Sequence, residues 1–251
     1  MDIHKILLPA FTIGAVLVLG WGVFVKQNED VNIADTVRMG TEGAYPPYNF
    51  INDAGEVDGF ERELGDELCA RAKLTCQWVV NDWDSIIPNL VSGNYDTIIA
   101  GMSITAERDD VIDFTQNYTQ PDASAYMALS ADLNLSGAVI AAQTNTIQSG
   151  FIAASDATLV EFSTPEETIA AVKNGEADAV LADLNYLVPV AEADADLVLL
   201  DQTELIGGGI GLGVRESDGD LRAKFDAAIA SMKADGSLNT LITKWKVGEL
   251  F

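Results

Sequence analysis

Histidine is almost absent from this chain, with one residue in 251, His4, at the extreme start. Beyond that position the usual general base near neutral pH and the commonest metal ligand are both missing, which excludes histidine-based acid–base catalysis and histidine-ligated metals there. Basic side chains are also scarce: 14 Lys and Arg stand against 39 Asp and Glu, a formal charge of −25. Such a balance excludes nucleic acid and an anionic membrane surface as partners while permitting attraction of cationic ligands. Much of the acidity reads equally as a solvated surface kept for solubility or salt tolerance. Cysteine occurs twice, at Cys69 and Cys76.

Long uncharged runs are confined to one place. Ile6 to Val25, ILLPAFTIGAVLVLGWGVFV, is preceded by Lys5 and closed by Lys26 and the polar QNED. Its 20 residues suit a signal peptide or a retained membrane anchor, and either reading exports the rest of the chain. No A-x-A cleavage site is present, although Gly20 and Gly22 form a small-x-small pair. The segment 1–26 is therefore expected to be a targeting element, with 27–35 a linker. In an exported chain the closely spaced Cys69 and Cys76, on either side of a predicted helix end, read as a disulfide ahead of a metal or redox site, with two buried thiols as the alternative.

The chain is 48% hydrophobic overall, ample for buried cores. TVRMGT at 36–41 alternates like a strand and runs into GAYPPYNF, whose paired prolines predict irregular backbone, followed by the turn-rich DAGEVDG. Phe60, Leu64, Leu68 and Ala72 recur at helical spacing, predicting a helix over 59–73 capped by Asp58. A strand at 75–80, a short helix from Trp83 to about Val91 and a strand at 97–100 complete βαβ units. The pattern then restarts after an extended 123–130. Strands are expected at 138–142, 158–162 and 179–182, with helices from Thr146 and from Thr164-Pro165-Glu166-Glu167, a capping box with proline at the first helical position. A strand from Gly207 to Val214 and helices at 219–234 and 237–246 finish the chain.

The stretch YDTIIAGMSITAER, 95–108, carries the chemistry of the first unit. An apolar strand gives way to Gly101, to the hydroxyls of Ser103 and Thr105, and to Arg108 at a helix start. Ligands of open α/β sheets bind outside the carboxyl ends of the strands, so this arrangement predicts a small-anion site with Arg108 as carboxylate clamp. Asp183, at the end of the 179–182 strand, repeats the logic in the second unit. GGGIGLG at 207–213 does not match a dinucleotide fingerprint, because the spacing is wrong and no acidic ribose partner comes after it. It reads instead as the second of two crossings, near 120–124 and 201–208, between two α/β lobes. The first lobe is assigned 36–121 plus 208–251 and the second 122–207.

GTEGAYPPYNF, DGFERELGDELCARAKLTCQW, NDWDSIIPNL, YDTIIAGMSITAERDDVIDFT, NGEADAVLAD and KADGSLNTLITKW together resemble, in order and spacing, the family 3 extracellular solute-binding proteins of bacterial ABC importers. The resemblance covers about Thr36 to Val247 and is to members of the lysine/arginine/ornithine, histidine, glutamine and opine-binding type. It implies the type II periplasmic-binding-protein fold, two lobes that close about a hinge on one amino acid. By resemblance Arg108 binds the α-carboxylate, helped by Ser103 and the backbone amide of Thr146, and Asp183 binds the α-ammonium. Tyr45 and Trp83 fall on the aromatic pair around the ligand side chain, Glu42 on the acidic position at its far end, and Ala100 and Gly101 on the same strand end. The cysteine pair matches the disulfide of the basic amino-acid branch.

Elementary chemistry agrees: a zwitterion needs a fixed cation and a fixed anion, guanidinium binds carboxylate in a bidentate way, and each ring adds roughly 0.5 to 2 kcal/mol of cation–π attraction to a cationic side chain. Bland readings stand beside these. Arg108 could pair with Glu107 or Asp109, Trp83 could be core, Asp183 could be a helix N-cap and Glu42 a solvated loop residue. Two departures are notable. Gln143-Thr144-Asn145-Thr146 replaces a glycine-containing turn, with Asn145 expected to take the left-handed conformation. Ala100-Gly101 replaces a hydroxyl pair, which relaxes lysine selectivity and leaves room for arginine or a bulkier derivative. The expectation is a monomeric periplasmic binding protein, not an enzyme and without cofactor or metal, that delivers arginine first, then ornithine, lysine or an opine, to an ABC permease. Alternatives are a cyclohexadienyl dehydratase-like enzyme on the same scaffold and a membrane-tethered amino-acid sensor.

Overall fold

The computed structural model describes residues 36–251. The targeting element and linker expected at 1–35 lie outside the described residues, within which no helix is long and apolar enough to cross a membrane.

In the first lobe β1 (Thr36–Thr41) leads into a small antiparallel sheet of β2 (Ala44–Tyr45), β3 (Asn49–Ile51) and β4 (Val57–Asp58). This sheet corrects the expectation of irregular backbone: Pro46 and Pro47 occupy the turn between β2 and β3, where a missing N–H costs nothing. Next come α1 (Phe60–Ala72), β5 (Thr75–Val80), a 3-10 turn at Trp83–Ser85, α2 (Ile86–Val91), β6 (Thr97–Ile98), α3 (Ala106–Asp109) and β7 (Asp113–Phe114). Helix α1 is capped at Gly59, φ 116°, rather than by Asp58, whose side chain accepts from the Gly59 N–H. Strand β6 stops two residues short of its predicted end, and Ile99 donates to the Gly40 carbonyl as the chain turns toward Gly101.

The second lobe comprises β8 (Ser124–Ala128), β9 (Val139–Gln143), α4 (Ile147–Ala153), β10 (Thr158–Phe162), α5 (Pro165–Asn174), β11 (Ala179–Asp183), α6 (Leu184–Ala193) and β12 (Val198–Glu204). Thr164 forms the predicted capping box with Glu167, and Gly175 ends α5 in the left-handed conformation. Helix α6 and strand β12 were not among the expected elements, and β12 moves the second crossing to 205–212. The chain then returns through β13 (Gly213–Val214), α7 (Gly219–Asp235) and α8 (Ser237–Trp245) to the first lobe. The predicted strand from Gly207 shrinks to β13 and one isolated bridge between Ile210 and Ser103.

The two sheets have the same plan, β5-β1-β6-β13-β7 and β10-β9-β11-β8-β12. In each, four strands share one direction and one runs against them. The reversed strands, β13 and β8, are those that come after a crossing, because a chain arriving at the carboxyl ends of its neighbours must run back along them. Both faces of each sheet are covered. In β8, Ala125 and Met127 pack on one side with Val172 and Leu187, while Tyr126 and Ala128 pack on the other with Ile140 and Ile152. In the first lobe Phe60, Leu64 and Leu68 of α1 join Phe225, Ile229 and Met232 of α7 on one face, and Ile86, Leu90 and Ile98 fill the other.

The crossings touch one another. Tyr118 N–H donates to the Ile210 carbonyl at 2.7 Å, and the Ile210 N–H donates to Thr119 Oγ1 at 3.2 Å. Gly209 is required here, since its φ is 89° and a Cβ would stand 2.6 Å from the Thr119 carbonyl oxygen.

Cys69 and Cys76 form a disulfide with a Cα–Cα distance of 6.2 Å, tying the last turns of α1 to β5 around the left-handed Lys73. Replacing both cysteines by alanine is expected to lower stability by roughly 2 to 3 kcal/mol, the chain-entropy scale for so short a loop. The check is a lower midpoint in denaturant titration, and an unchanged midpoint would show the loop to be held by packing alone.

Candidate functional site

The carboxyl ends of the two sheets face each other across a cleft, and the side chains delivered there come from strand ends or the turns beyond them. From the first lobe, Glu42 comes directly after β1, Trp83 opens the 3-10 turn after β5, and Ala100, Gly101 and Ser103 come after β6. From the second, Gln143 ends β9, Thr146 caps α4 and Asp183 ends β11. These residues, with Tyr45, Arg108, Ile147 and Gln148, line one small cavity. All nine residues singled out from the sequence are among them. Gln143, Ile147 and Gln148 were missed, although Gln143 could have been found by the strand-end rule that selected Asp183. A wider groove shares Trp83, Arg108, Thr146 and Ile147 and leads outward from the arginine end.

Arg108 is aimed by local structure. Thr105 caps α3, its Oγ1 accepting the Arg108 N–H at 3.2 Å, so that the side chain turns inward. Nη1 donates to the Ser103 carbonyl at 2.8 Å and Nη2 to the Asn145 carbonyl at 3.1 Å, while the guanidinium carbon lies 5.4 Å from the Trp83 ring centre. Asn145 has φ 57°, the left-handed conformation expected of it. Among the described residues Arg108 makes no ion pair, so the reading of it as a partner of Glu107 or Asp109 is not realised. Burial lowers its pKa to about 10, with Asp183 and Glu107 pulling the other way.

Asp183 occupies the N-cap position of α6 but makes no side-chain cap bond. Its Oδ2 accepts from Tyr45 Oη at 2.8 Å and its Oδ1 from Gln148 Nε2 at 2.8 Å, and its own N–H donates to Tyr45 Oη. Tyr45 stacks on Tyr186 with ring centres 4.5 Å apart, a first-lobe ring on a second-lobe one. Burial raises the Asp183 pKa to about 6 against the opposing bonds from Tyr45 and Gln148 and the charge of Arg108. Glu42 is buried, not solvated, and its Oε1 accepts from Gln143 Nε2 at 2.6 Å. Burial raises its pKa to about 7, the Gln143 bond opposing and Glu166, Asp84 and Asp82 adding repulsion. Trp83 is 8% exposed and packs with Ile86 and Leu90, so it belongs to the core as well as to the cleft.

Hydrogen bonds between Arg108 and Asn145, Tyr45 and Asp183, and Gln143 and Glu42 therefore bridge the lobes at the cleft, and Asn185 Nδ2 donates to Tyr48 Oη between the same lobes. With both carboxyls ionised the lining carries one fixed cation and two fixed anions. That set complements a zwitterion bearing one extra positive charge. No cluster of metal-ligating side chains occurs among the described residues.

A family model for bacterial extracellular solute-binding proteins, family 3, matches residues 37–249. The octopine-binding periplasmic protein of Rhizobium meliloti is 30% identical, over 89% of this chain and 94% of its own length. The L-arginine-binding protein of Pseudomonas aeruginosa is 30% identical over 83% and 87%. A crystal structure of a periplasmic His/Glu/Gln/Arg/opine family-binding protein from Silicibacter pomeroyi, in complex with lysine, is 71% identical and superposes with a TM-score of 0.84, covering 86% of this chain and all of that one. Match, fold and cleft agree, and the chain belongs to the bacterial extracellular solute-binding proteins, family 3.

Proposed function

We propose that this protein captures a cationic L-amino acid, arginine or lysine foremost and ornithine next, outside the cytoplasm and presents it to an ABC permease. The observation that carries the reading is the order of charge along the cleft. Arg108, free of any carboxylate partner among the described residues, faces Asp183 on the other lobe, and Glu42 lies beyond. The ligand carboxylate is placed on Arg108, its α-ammonium on Asp183 and its side-chain cation toward Glu42, between the rings of Tyr45 and Trp83. Arg108 and Asp183 belong to different lobes, so the complete site forms only on closure, and the ligand's preference for the closed state sets the population shift. The lysine complex of the 71% identical protein supports the cationic class and brings lysine level with arginine. An opine is the second reading, favoured by the groove leading out from the Arg108 end and by the octopine-binding relative.

A thermal-shift screen of the twenty amino acids and several opines tests the class, since a ligand bound only by the folded state raises the melting temperature. Arginine, lysine and ornithine are expected to give the largest gains; a gain confined to glutamine or glutamate would overturn the role of Glu42. Arg108→Ala is expected to weaken binding about 100-fold or more, the scale for removing one partner of a buried charge pair, as measured by calorimetry. Incubation with prephenate or arogenate is expected to yield no aromatic product, and appearance of one would restore the enzyme reading.

The pH dependence has a definite sign. Folding raises Glu42 and Asp183 to about 7 and 6, so between about pH 4 and 7 the folded protein holds more protons than the unfolded chain. Their contribution to the stability of the ligand-free protein therefore falls as pH rises through that window. A ligand cation favours the ionised carboxylates, releases protons on binding and binds more tightly as pH rises. At one fixed arginine concentration the gain in melting temperature is expected to be larger at pH 8 than at pH 5, with Glu42→Gln reducing the difference. Equal gains at both pH values would remove the two carboxylates from contact with the ligand.

A further inference from the structure

Glu61, in the first turn of α1, is a carboxylate with no exposed surface and no cationic partner among the described residues. Its two oxygens hold three donors from three separate segments. Oε1 accepts the Gly101 N–H at 2.7 Å and the Tyr118 hydroxyl, and Oε2 accepts from Asn49 Nδ2 at 2.7 Å. Asn49, itself fully buried, passes the constraint on, its Oδ1 accepting the Gly43 N–H at 2.7 Å. Gly43 stands between Glu42 and the strand carrying Tyr45. Gly101 holds φ 62° beside Ala100, and Tyr118 lies on the first crossing.

We propose that Glu61 is a positioning residue for ligand binding, whose carboxyl group, acting through Asn49, fixes the Gly43 turn and hence Glu42 and Tyr45 at the cleft. The inference rests on the cleft being the amino-acid site argued above. Donor–acceptor accounting makes it specific. Gly101 N–H and Asn49 Nδ2 can only donate, so the group between them must accept on both oxygens. In Glu61→Gln the amide oxygen can keep Gly101 and Tyr118, but the new NH2 faces the NH2 of Asn49. Flipping Asn49 relieves that clash only by turning its NH2 against the Gly43 N–H. In that orientation, which keeps two of the three bonds to residue 61, the Gly43 turn is the element released. Adding Asn49→Asp restores every pairing, because the carboxylate so introduced accepts from the new amide on one oxygen and from the Gly43 N–H on the other, with the net charge unchanged.

Two measurements test this on the full chain: calorimetric binding of L-lysine and L-arginine, and site-resolved amide hydrogen exchange without ligand. E61Q is expected to weaken whichever of the two amino acids binds by about tenfold or more and to speed exchange at Gly43 while leaving Gly101 protected. A purely structural loss would speed both amides together. N49D/E61Q is expected to return affinity and Gly43 protection to near the wild-type level. Wild-type affinity in E61Q, parallel exchange at the two glycines, or a folded double variant with Gly43 unprotected would each overturn the assignment. If E61Q does not fold, the double variant carries the test alone. If wild-type protein binds neither amino acid, the functional reading fails by itself, and the exchange measurement still decides the role of Glu61.

Discussion

A charge taken out of water must find a partner or lose stability, and the cleft is built around charges whose partners are withheld. Arg108 rests on two main-chain carbonyls and a tryptophan face, and Asp183 and Glu42 are bonded to neutral hydroxyl and amide donors. Neutral donors orient a charge without neutralising it. The guanidinium pKa is pulled down and both carboxyl pKa values are pushed up, in each case by burial first. In all three the shift runs against the charged form, so the neutral donors and the tryptophan face do not make up for the water that each group has lost.

The fold is what keeps those charges from reaching one another. Each is mounted at the carboxyl end of a sheet, where the backbone turns and side chains project beyond the last pair of strands. The sheets belong to different lobes joined by two crossings that are hydrogen-bonded together at Tyr118, Thr119 and Ile210. Aromatic stacking of Tyr45 on Tyr186 adds an apolar contact between the lobes at the same place. The polar and apolar bridges at the cleft are local, made by side chains of its lining and not by a shared sheet.

Much of this was legible in the sequence because its carriers are local. The capping box at Thr164 to Glu167, the glycine after Asn174 and the spacing of Phe60, Leu64 and Leu68 report directly on backbone geometry and on one buried face. The cleft residues were legible because strand ends and the turns behind them could be placed, and the family motifs supplied the roles proposed for them. What escaped is non-local. The three-stranded sheet around Pro46 and Pro47 depends on pairing across a turn, and the strand status of β12 depends on its antiparallel neighbour β8. Gln148, inside a helix, is recognisable only once Asp183 is known to lie opposite it. Glu61 looked like one more acidic residue on a charged helix, and only its three donors mark it out.

The reversed strands bear on the order in which the chain can fold. The sheet of the second lobe is drawn from one contiguous stretch, 124–204, and can close as soon as that stretch is complete. The sheet of the first lobe needs β13, at 213–214, to fill the gap between β6 and β7, with Ile98 and Phe114 at its margins. Until then two strand edges lie open, each able to template pairing with another chain. The lobe that begins first in sequence is thus the one that finishes last, and the segment that joins the lobes also closes the earlier one's exposed edges.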